Sequence, residues 1–502
     1  MDMEQLARGT MAPEEGYEDV GGHPTEALGD NNHLDQPHAL DGPGLEKESN
    51  EHLEHLKPNP KSPSLLENLP AELRDQILLS APDLRTLQTL VRASPVMHAQ
   101  YRSHRDAIIC TCAARDMDGF LVDAYACVMS RVHAMGSPQT REKIIAHLEA
   151  YRGCMSDSRI DAAAIRPSYV RWLSAFHLKV VKPLAHQYSA WALQNLFRAT
   201  SKAPAQNQET VGAPTVQQQD VALSRSEEIR IFRALYRYET YYHLFGRRNW
   251  EQEEEILRLR EINSHFFGLF HPWEAEAIGC IDVFVRQRYD QIFDEVQDDL
   301  HAANPSINFR DDTQAYTGSP FAYTEREGER SHSLVGANFT HANPTDFMDG
   351  TVSRGLRATV DLFQINDRGT LLAKLRKWLR RSHLLDDPIR RTLLATVQAQ
   401  RRNTALEARD EAEQRKEVME FAGDAVLANG PPLGWVLLWN GIYVNIYGEH
   451  VPSTIQKWGY VMWDERRWND SGAKALVLKQ WVAEPERAKD IEMFYGWKPS
   501  GI

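Results

Sequence analysis

Cysteine is scarce in this sequence, with five residues in a chain of 502. So few cysteines, odd in number, exclude a scaffold held together by disulfides and are typical of a reducing compartment. We interpret all five as buried free thiols in helical sequence. Cys110 and Cys112 form a C-x-C pair, and a zinc site that adds Cys127 and Cys154 is the alternative interpretation. Because no second pair lies at ligand spacing, no metal site is predicted.

Long hydrophobic runs are missing as well. The sequence has no stretch of about 18 apolar residues, and its N-terminus has no basic segment followed by an apolar one. The first absence argues against a transmembrane helix, and the second argues against a secretory signal peptide. We therefore expect a cytoplasmic or nuclear protein without a membrane partner.

Motifs of the common enzyme classes do not occur. The sequence has no phosphate-binding or dinucleotide-binding glycine loop, no serine-hydrolase elbow and no zinc-protease motif. Its 19 histidines are dispersed, and adjacent carboxylates such as Asp386-Asp387 have the pattern of turn residues. The sequence therefore predicts no catalytic residue and no cofactor.

Positive charge is in short supply. The formal net charge is −13, and residues 1–62 alone hold 14 acidic and 4 basic residues, a net of −10. The remaining −3 is spread over residues 63–502, which show no basic stretch for phosphates, so nucleic acid is not an expected partner. Residues 1–62 contain too few apolar side chains to offset the entropy of ordering, and we predict a disordered acidic tail.

What the sequence does contain is mainly helical periodicity. Residues 63–105 predict a unit of three short helices, whose starts are marked by Leu69-Pro70, Pro82-Asp83 and Ser94-Pro95. Residues 106–300 predict a helical domain with an exposed loop at 201–224. A long loop at 301–355 and a helical continuation at 356–428 follow.

The C-terminal residues 429–502 differ in composition, because they hold seven of the twelve tryptophans. The run Gly434–Tyr447 surrounds Asn440-Gly441, and two interpretations are open: a β-hairpin with a two-residue turn, or a buried helix end. Trp463, Asp464 and Trp468 also allow two interpretations. They are either core aromatics beside a helix-capping Asp or a pocket that binds a target protein.

The segment Ser64–Tyr101 resembles an F-box. The matching residues are Leu69-Pro70, Glu72-Leu73, Ile77-Leu78, Leu84, Leu87 and Leu90-Val91. In that family a Leu-Pro opens a three-helix unit that docks onto the Skp adaptor of cullin-RING ubiquitin ligases. The resemblance implies an adaptor-facing surface formed by Leu69, Pro70, Leu73, Ile77, Leu84 and Leu87. Exposed apolar side chains on a small helical unit fit that role, because they offer a hot spot to another helical surface.

Over a longer range, the chain is similar to the F-box-like domain-containing proteins of filamentous fungi. The similarity rests on L-E-N-L-P-A-E-L-R-D-Q-I-L (66–78), L-V-R-A-S-P-V-M-H-A-Q-Y (90–101), F-F-G-L-F-H-P-W-E (266–274) and G-Y-V-M-W-D-E-R-R-W (459–468). It implies a substrate-recognition subunit of a cullin-RING ligase that binds an unknown target. The alternatives are an adaptor-independent helical scaffold or, less expected, an enzyme without a recognisable motif.

Overall fold

The computed structural model describes residues 65–136, 140–157, 165–201, 222–246, 257–300, 351–381, 408–424, 430–477 and 479–495, with residues 160, 389 and 393. These residues are mainly helical, which confirms the fold class expected from the sequence. The tail at 1–62 and most of the loops expected at 201–224 and 301–355 lie outside the described residues. None of the described helices is long and apolar enough to cross a membrane.

The described helices occur in the following order along the chain. Their bounds are α1 (Ala71–Leu79), α2 (Leu84–Ala93), α3 (Pro95–Ser103), α4 (Arg105–Asp116), α5 (Leu121–Gly136), α6 (Arg141–Asp157), α7 (Pro167–Phe176), a π-helix (His177–Val181), α8 (Lys182–Ser201), α9 (Arg225–Phe245), α10 (Leu259–His265), a 3₁₀ turn (Phe267–Leu269), α11 (Pro272–Leu300), α12 (Gly355–Phe363), α13 (Arg368–Arg381), α14 (Ala408–Gln414), α15 (Leu433–Leu438), a 3₁₀ turn (Gly448–His450), α16 (Ser453–Lys457), α17 (Glu465–Ser471), α18 (Lys474–Val477), α19 (Gln480–Ala483) and α20 (Pro485–Tyr495).

Helices α1 to α3 form the three-helix unit, and their starts lie where the sequence predicts them. The Asp83 carboxylate accepts a hydrogen bond from the Thr86 N–H at 2.8 Å and caps α2. The Ser94 hydroxyl accepts from the Met97 N–H at 3.3 Å and caps α3, with Pro95 in the first helical position. These local contacts satisfy N–H groups that have no partner within the helix.

The three-helix unit is joined to the body through α4. Leu78 and Met97 are fully buried in the same hydrophobic cluster as the aromatic residues of the body. The Arg115 guanidinium donates to the Leu79 carbonyl at 3.1 Å and also to the Ala81 carbonyl, at the end of α1. The backbone N–H of Leu84, at the start of α2, donates to the Asp116 carboxylate at 3.1 Å. Polar contacts therefore fix the orientation of the unit on α4.

Helix α9 runs through the core and packs against α5 and α11. Its buried Arg237 donates to Asp123 of α5 at 2.7 Å and to Glu274 of α11 at 2.9 Å. Burial alone would raise the pKa of Glu274, but Arg237 and Arg233 outweigh it and hold that pKa at about 2. Three central helices are thus joined by an ion network, which is costly to break once it is buried.

The Trp-rich C-terminal residues contain short helices rather than a hairpin. Among the described residues no β-strand is formed. The backbone pairing in this region is an isolated antiparallel bridge between Val418 and Ile442. The β-hairpin interpretation of 434–447 is therefore wrong, and the buried helix end is confirmed as α15. Asn440 (φ +52°) and Gly441 (φ +69°) do form a turn, but it ends α15: the Gly441 N–H donates to the Val436 carbonyl at 3.0 Å.

Candidate protein-interaction site

The three-helix unit exposes apolar side chains at its N-terminal end. Leu65 is 90% exposed and Leu73 is 44% exposed, which is unusual for large apolar residues. Pro70 is exposed, and Leu69 and Ile77 are half-buried. We call this set, Leu65, Leu69, Pro70, Leu73 and Ile77, the α1 patch.

Hydrogen bonds behind the α1 patch hold its backbone in place. The Arg74 guanidinium donates to the carbonyls of Glu67 at 3.0 Å and of Leu69 at 2.8 Å, so the segment leading into α1 is fixed to the helix. The Gln100 amide on α3 donates to the Asp75 carboxylate at 2.7 Å. Partial burial raises the pKa of Asp75, but Gln100 and His104 outweigh it and hold that pKa below its ordinary value. The patch is therefore presented on a preorganised support.

Two residues that the resemblance assigns to the adaptor-facing surface lie elsewhere. Leu84 and Leu87 are 2% and 4% exposed and belong to the hydrophobic core. The reason is that α2 turns this side toward α4 and α7, both of which come later in the chain. In this conformation neither Leu84 nor Leu87 is accessible to a partner protein.

Leu84 and Leu87 instead line a cleft between α2 and α3 on one side and α7 with the π-helix on the other. We call it the α2–α7 cleft; its volume is about 630 Å³. This volume is within the usual range of ligand sites, roughly 300–1,000 Å³. Its lining residues are Leu84, Leu87, Gln88, Val91, Arg92, Ser94, Pro95, His98, Tyr101, Arg105, Ile109, Arg171, Ser174, Ala175, Leu178 and Lys179.

The residues that line the α2–α7 cleft include the basic side chains of Arg92, His98, Arg105, Arg171 and Lys179, and none of them is a carboxylic acid. Arg171 is paired with Asp106 at 2.7 Å. Among the described residues, no carboxylate pairs with Arg92, Arg105 or Lys179, and all three side chains are exposed. The cleft therefore combines an apolar floor with a positive rim.

Asp116 holds the two walls of the cleft together. Its carboxylate accepts from the Leu84 N–H at 3.1 Å on one wall and from the Lys182 ammonium at 2.9 Å, just after the π-helix of the other wall. His177 begins that π-helix, and burial lowers its pKa well below the ordinary value. A neutral His177 pairs with the Tyr236 hydroxyl at 3.1 Å. Such π-turns are frequent at functional sites, and this one places Leu178 and Lys179 on the wall.

Trp463 and Trp468, considered as target-binding residues from the sequence, are fully buried. The Trp463 indole donates to the Trp458 carbonyl at 2.5 Å, and Trp468 packs so closely on Gly434 that a Cβ there would lie 2.7 Å from its ring. Neither ring is available to a target in this conformation. The interpretation as core aromatics matches their position.

Asp464 contacts residues of α9 and its capping turn. Its carboxylate accepts from the Arg230 guanidinium at 2.8 Å and from the Ser226 hydroxyl at 2.6 Å. It occupies the capping position of α17, but its side chain makes no capping hydrogen bond there. The residue thus links the C-terminal region to α9.

The cysteines are free thiols in the described structure. Cys112, Cys127 and Cys280 are buried, whereas Cys110 and Cys154 are half-buried. Burial raises the pKa of Cys112 to about 12, so its thiol is protonated and a poor nucleophile at neutral pH. Within the described part of the chain, no group of three or more His, Cys, Asp or Glu side chains could hold a metal ion.

The α2–α7 cleft was not foreseen from the sequence. Its basic residues are spread from Arg92 to Lys179 without a local cluster. The only local signal is the apolar stripe of α2, which periodicity identifies without indicating what covers it. Searches for similar proteins found no match to the chain among family models, curated proteins or solved structures.

Proposed function

We propose that this chain is an interaction protein that docks a helical partner through the α1 patch. The partner implied by the F-box resemblance is the Skp-type adaptor of a cullin-RING ubiquitin ligase, and the chain would serve as its substrate-recognition subunit. In this role the chain itself forms and breaks no covalent bond. It raises the effective concentration of a bound target near the transferring enzyme.

The exposure of Leu73 carries the proposal. A large apolar side chain on a helix normally faces the core, but Leu73, in the first turn of α1, is 44% exposed while Leu78 is fully buried. Leu65 and Pro70 are exposed at the same end of the unit. A group of exposed apolar residues on a rigid support is the usual form of a protein-binding hot spot.

A pull-down of the full chain with a purified Skp adaptor tests this function. We choose Leu73→Asp, alone and with Leu65→Asp, because both side chains are exposed and the changes leave the core intact. Burying a carboxylate against an adaptor is costly, so we expect the adaptor affinity of Leu73→Asp to fall about tenfold or more. Charges at the half-buried Leu69 and Ile77 would test folding as much as binding.

Met493→Asp is the matched control. Met493 is also a large exposed apolar residue on a helix, 68% exposed on α20, and it lies outside the α1 patch. The Met493→Asp variant should bind the adaptor as the unmodified chain does. If the unmodified chain does not bind the adaptor, or if Leu73→Asp binds equally well, docking through the α1 patch is wrong.

An adaptor-independent helical scaffold is the second candidate, and one observation favours it. Leu84 and Leu87, assigned to adaptor contact by the resemblance, are covered by the chain's own helices. A scaffold function needs no binding surface on α1, so neither the unmodified chain nor any variant should capture the adaptor. The same pull-down therefore distinguishes the two functions.

A further inference from the structure

The α2–α7 cleft has a charge and a polarity that docking through the α1 patch does not use. Leu87 and Leu178 contribute to an apolar floor, and Arg92, Arg105 and Lys179 stand at the rim without a carboxylate partner among the described residues. A cleft of about 630 Å³ is large enough for several side chains of a peptide. The chemistry that fits is a short peptide with both carboxylates and apolar side chains.

The chain itself carries such a peptide. Residues 14–20 read E-E-G-Y-E-D-V, with four carboxylates, two apolar side chains and no basic residue. The surrounding residues 1–62 have a net charge of −10, opposite in sign to the rim of the cleft. Charge complementarity of this kind favours encounter and suppresses wrong partners.

The N-terminal end of the described residues also lies beside the cleft. The Glu67 carboxylate accepts from the hydroxyl of Ser94 at 2.6 Å, and Ser94 lines the cleft. Only 44 residues separate Val20 from Leu65, and a random coil of that length spans roughly 35–40 Å on average. A ligand tethered at this range has an effective concentration on the order of a millimolar, so weak contacts are enough for occupancy.

We propose that the acidic run 14–20 binds in the α2–α7 cleft of its own chain. The four carboxylates pair with Arg92, Arg105 and Lys179, and Tyr17 and Val20 contact the apolar floor. This proposal does not depend on adaptor docking, because the α1 patch shares none of the cleft-lining residues.

Carbodiimide coupling on the full-length chain tests the proposal. This reagent joins a lysine amine to a carboxylate when the two are in contact. Lys179 is the one lysine that lines the cleft. At low salt and high dilution we expect Lys179 joined to a carboxylate of residues 14–19, identified by peptide mass spectrometry. Salt at 0.5 M should reduce the yield, because it screens exposed charge pairs. Lys416, exposed and outside the cleft, reports the background.

Matched variants distinguish coupling that depends on charge attraction from coupling through chance contact. Arg92→Glu with Arg105→Glu should lower the Lys179 coupling yield about tenfold, because two attractions become repulsions. Arg85→Glu with Arg102→Glu changes exposed arginines of α2 and α3 that lie outside the cleft, and it should leave the yield unchanged. Tyr17→Ser with Val20→Ser keeps every carboxylate and should still lower the yield, because it removes the apolar contacts.

Three outcomes overturn the proposal. The first is a Lys179 yield no higher than that of Lys416. The second is coupling that joins Lys179 to another part of the tail or to an added acidic peptide in preference to residues 14–19. The third is coupling between chains in a mixture of isotopically light and heavy protein, which would make a second copy the occupant. Because no adaptor is present, failure here leaves the proposed function untouched.

Discussion

At the scale of the residue, one buried carboxyl group shows how strongly its surroundings change a pKa. Glu276 on α11 is fully buried and accepts hydrogen bonds from the Gly448 N–H at 2.5 Å and from the Gln456 amide at 2.9 Å. Burial raises the pKa of Glu276 to about 8, and the two hydrogen bonds only partly oppose it. Near neutral pH the folded protein therefore holds a proton on this carboxyl that the unfolded chain releases.

This proton gives a prediction about stability and pH. Between pH 4.5, the ordinary pKa, and about pH 8, the folded state binds one more proton than the unfolded state. The free energy of unfolding then falls as pH rises, by about 1.4 kcal/mol per pH unit from this group. Glu276→Gln has no such proton. We expect its free energy of unfolding, minus that of the unmodified chain, to increase with pH in urea titrations from pH 5 to pH 8.

Glu486→Gln provides the control for this measurement. Glu486 is an exposed carboxylate whose partner is Lys489 at 2.9 Å, and its removal should leave the pH profile unchanged. A difference between Glu276→Gln and the unmodified chain that stays constant from pH 5 to pH 8 would contradict the raised pKa.

The limits of sequence-based prediction are clearest for single residues. Helical spacing groups Leu73, Leu84 and Leu87 as one kind of residue, yet the structure exposes the first and buries the other two. What decides their burial is α4, which packs on α2 and α3 from later in the chain. Spacing shows which side of a helix is apolar, but the partner of that side is set by long-range packing.

At the scale of the element, the capping and turn residues were predictable from the sequence, but the kind of element that a turn connects was not. Asp83 and Ser94 cap helices where the sequence places them, because a cap needs only a neighbouring N–H. Asn440-Gly441 forms the expected turn with positive φ, but it ends a helix instead of joining two strands. A short apolar run such as Gly434–Trp439 has the same composition in a buried helix as in a strand, so its periodicity could not decide.

The start of α12 offers a prediction about one element. Gly355 has φ +81°, and the next N–H, from Leu356, donates to the Glu239 carboxylate at 2.6 Å. A Cβ on residue 355 would lie 2.6 Å from that carboxylate oxygen. Gly355→Ala should therefore lower the free energy of unfolding by about 1–3 kcal/mol, through strained backbone and loss of the contact between Glu239 and α12. Urea unfolding measures the change.

Gly153→Ala is the matched control for this element. Gly153 lies within α6, and a Cβ there meets nothing within 4 Å. Alanine is the better helix former, so this change should stabilise the protein by up to about 1 kcal/mol. Equal effects of the two substitutions would show that the contact between Glu239 and the start of α12 does not require glycine.

At the scale of the whole molecule, the C-terminal residues belong to the same core as the central helices. The sequence suggests a separate Trp-rich segment at 429–502, but Trp435, Trp439 and Trp468 lie in the one hydrophobic cluster that also contains α9 and α11. The Arg467 guanidinium donates to the Glu227 carboxylate at 2.6 Å, across 240 residues of sequence. Contacts over such separations leave no local pattern, so the sequence could not reveal them.

This continuity predicts that residues 430–495 cannot be removed without loss of the fold. A chain that ends at residue 429 removes the hydrogen-bond partners of Glu276 and leaves the buried carboxylate of Glu227 without Arg467. Leaving such groups unpaired costs several kcal/mol each, which is comparable to the whole stability of a domain. We expect loss of near-ultraviolet circular dichroism and aggregation in size-exclusion chromatography.

A chain that ends at Tyr495 keeps these contacts and should elute as the full chain does. If the chain ending at 429 kept its spectrum and its unfolding temperature, the C-terminal residues would be a separate domain.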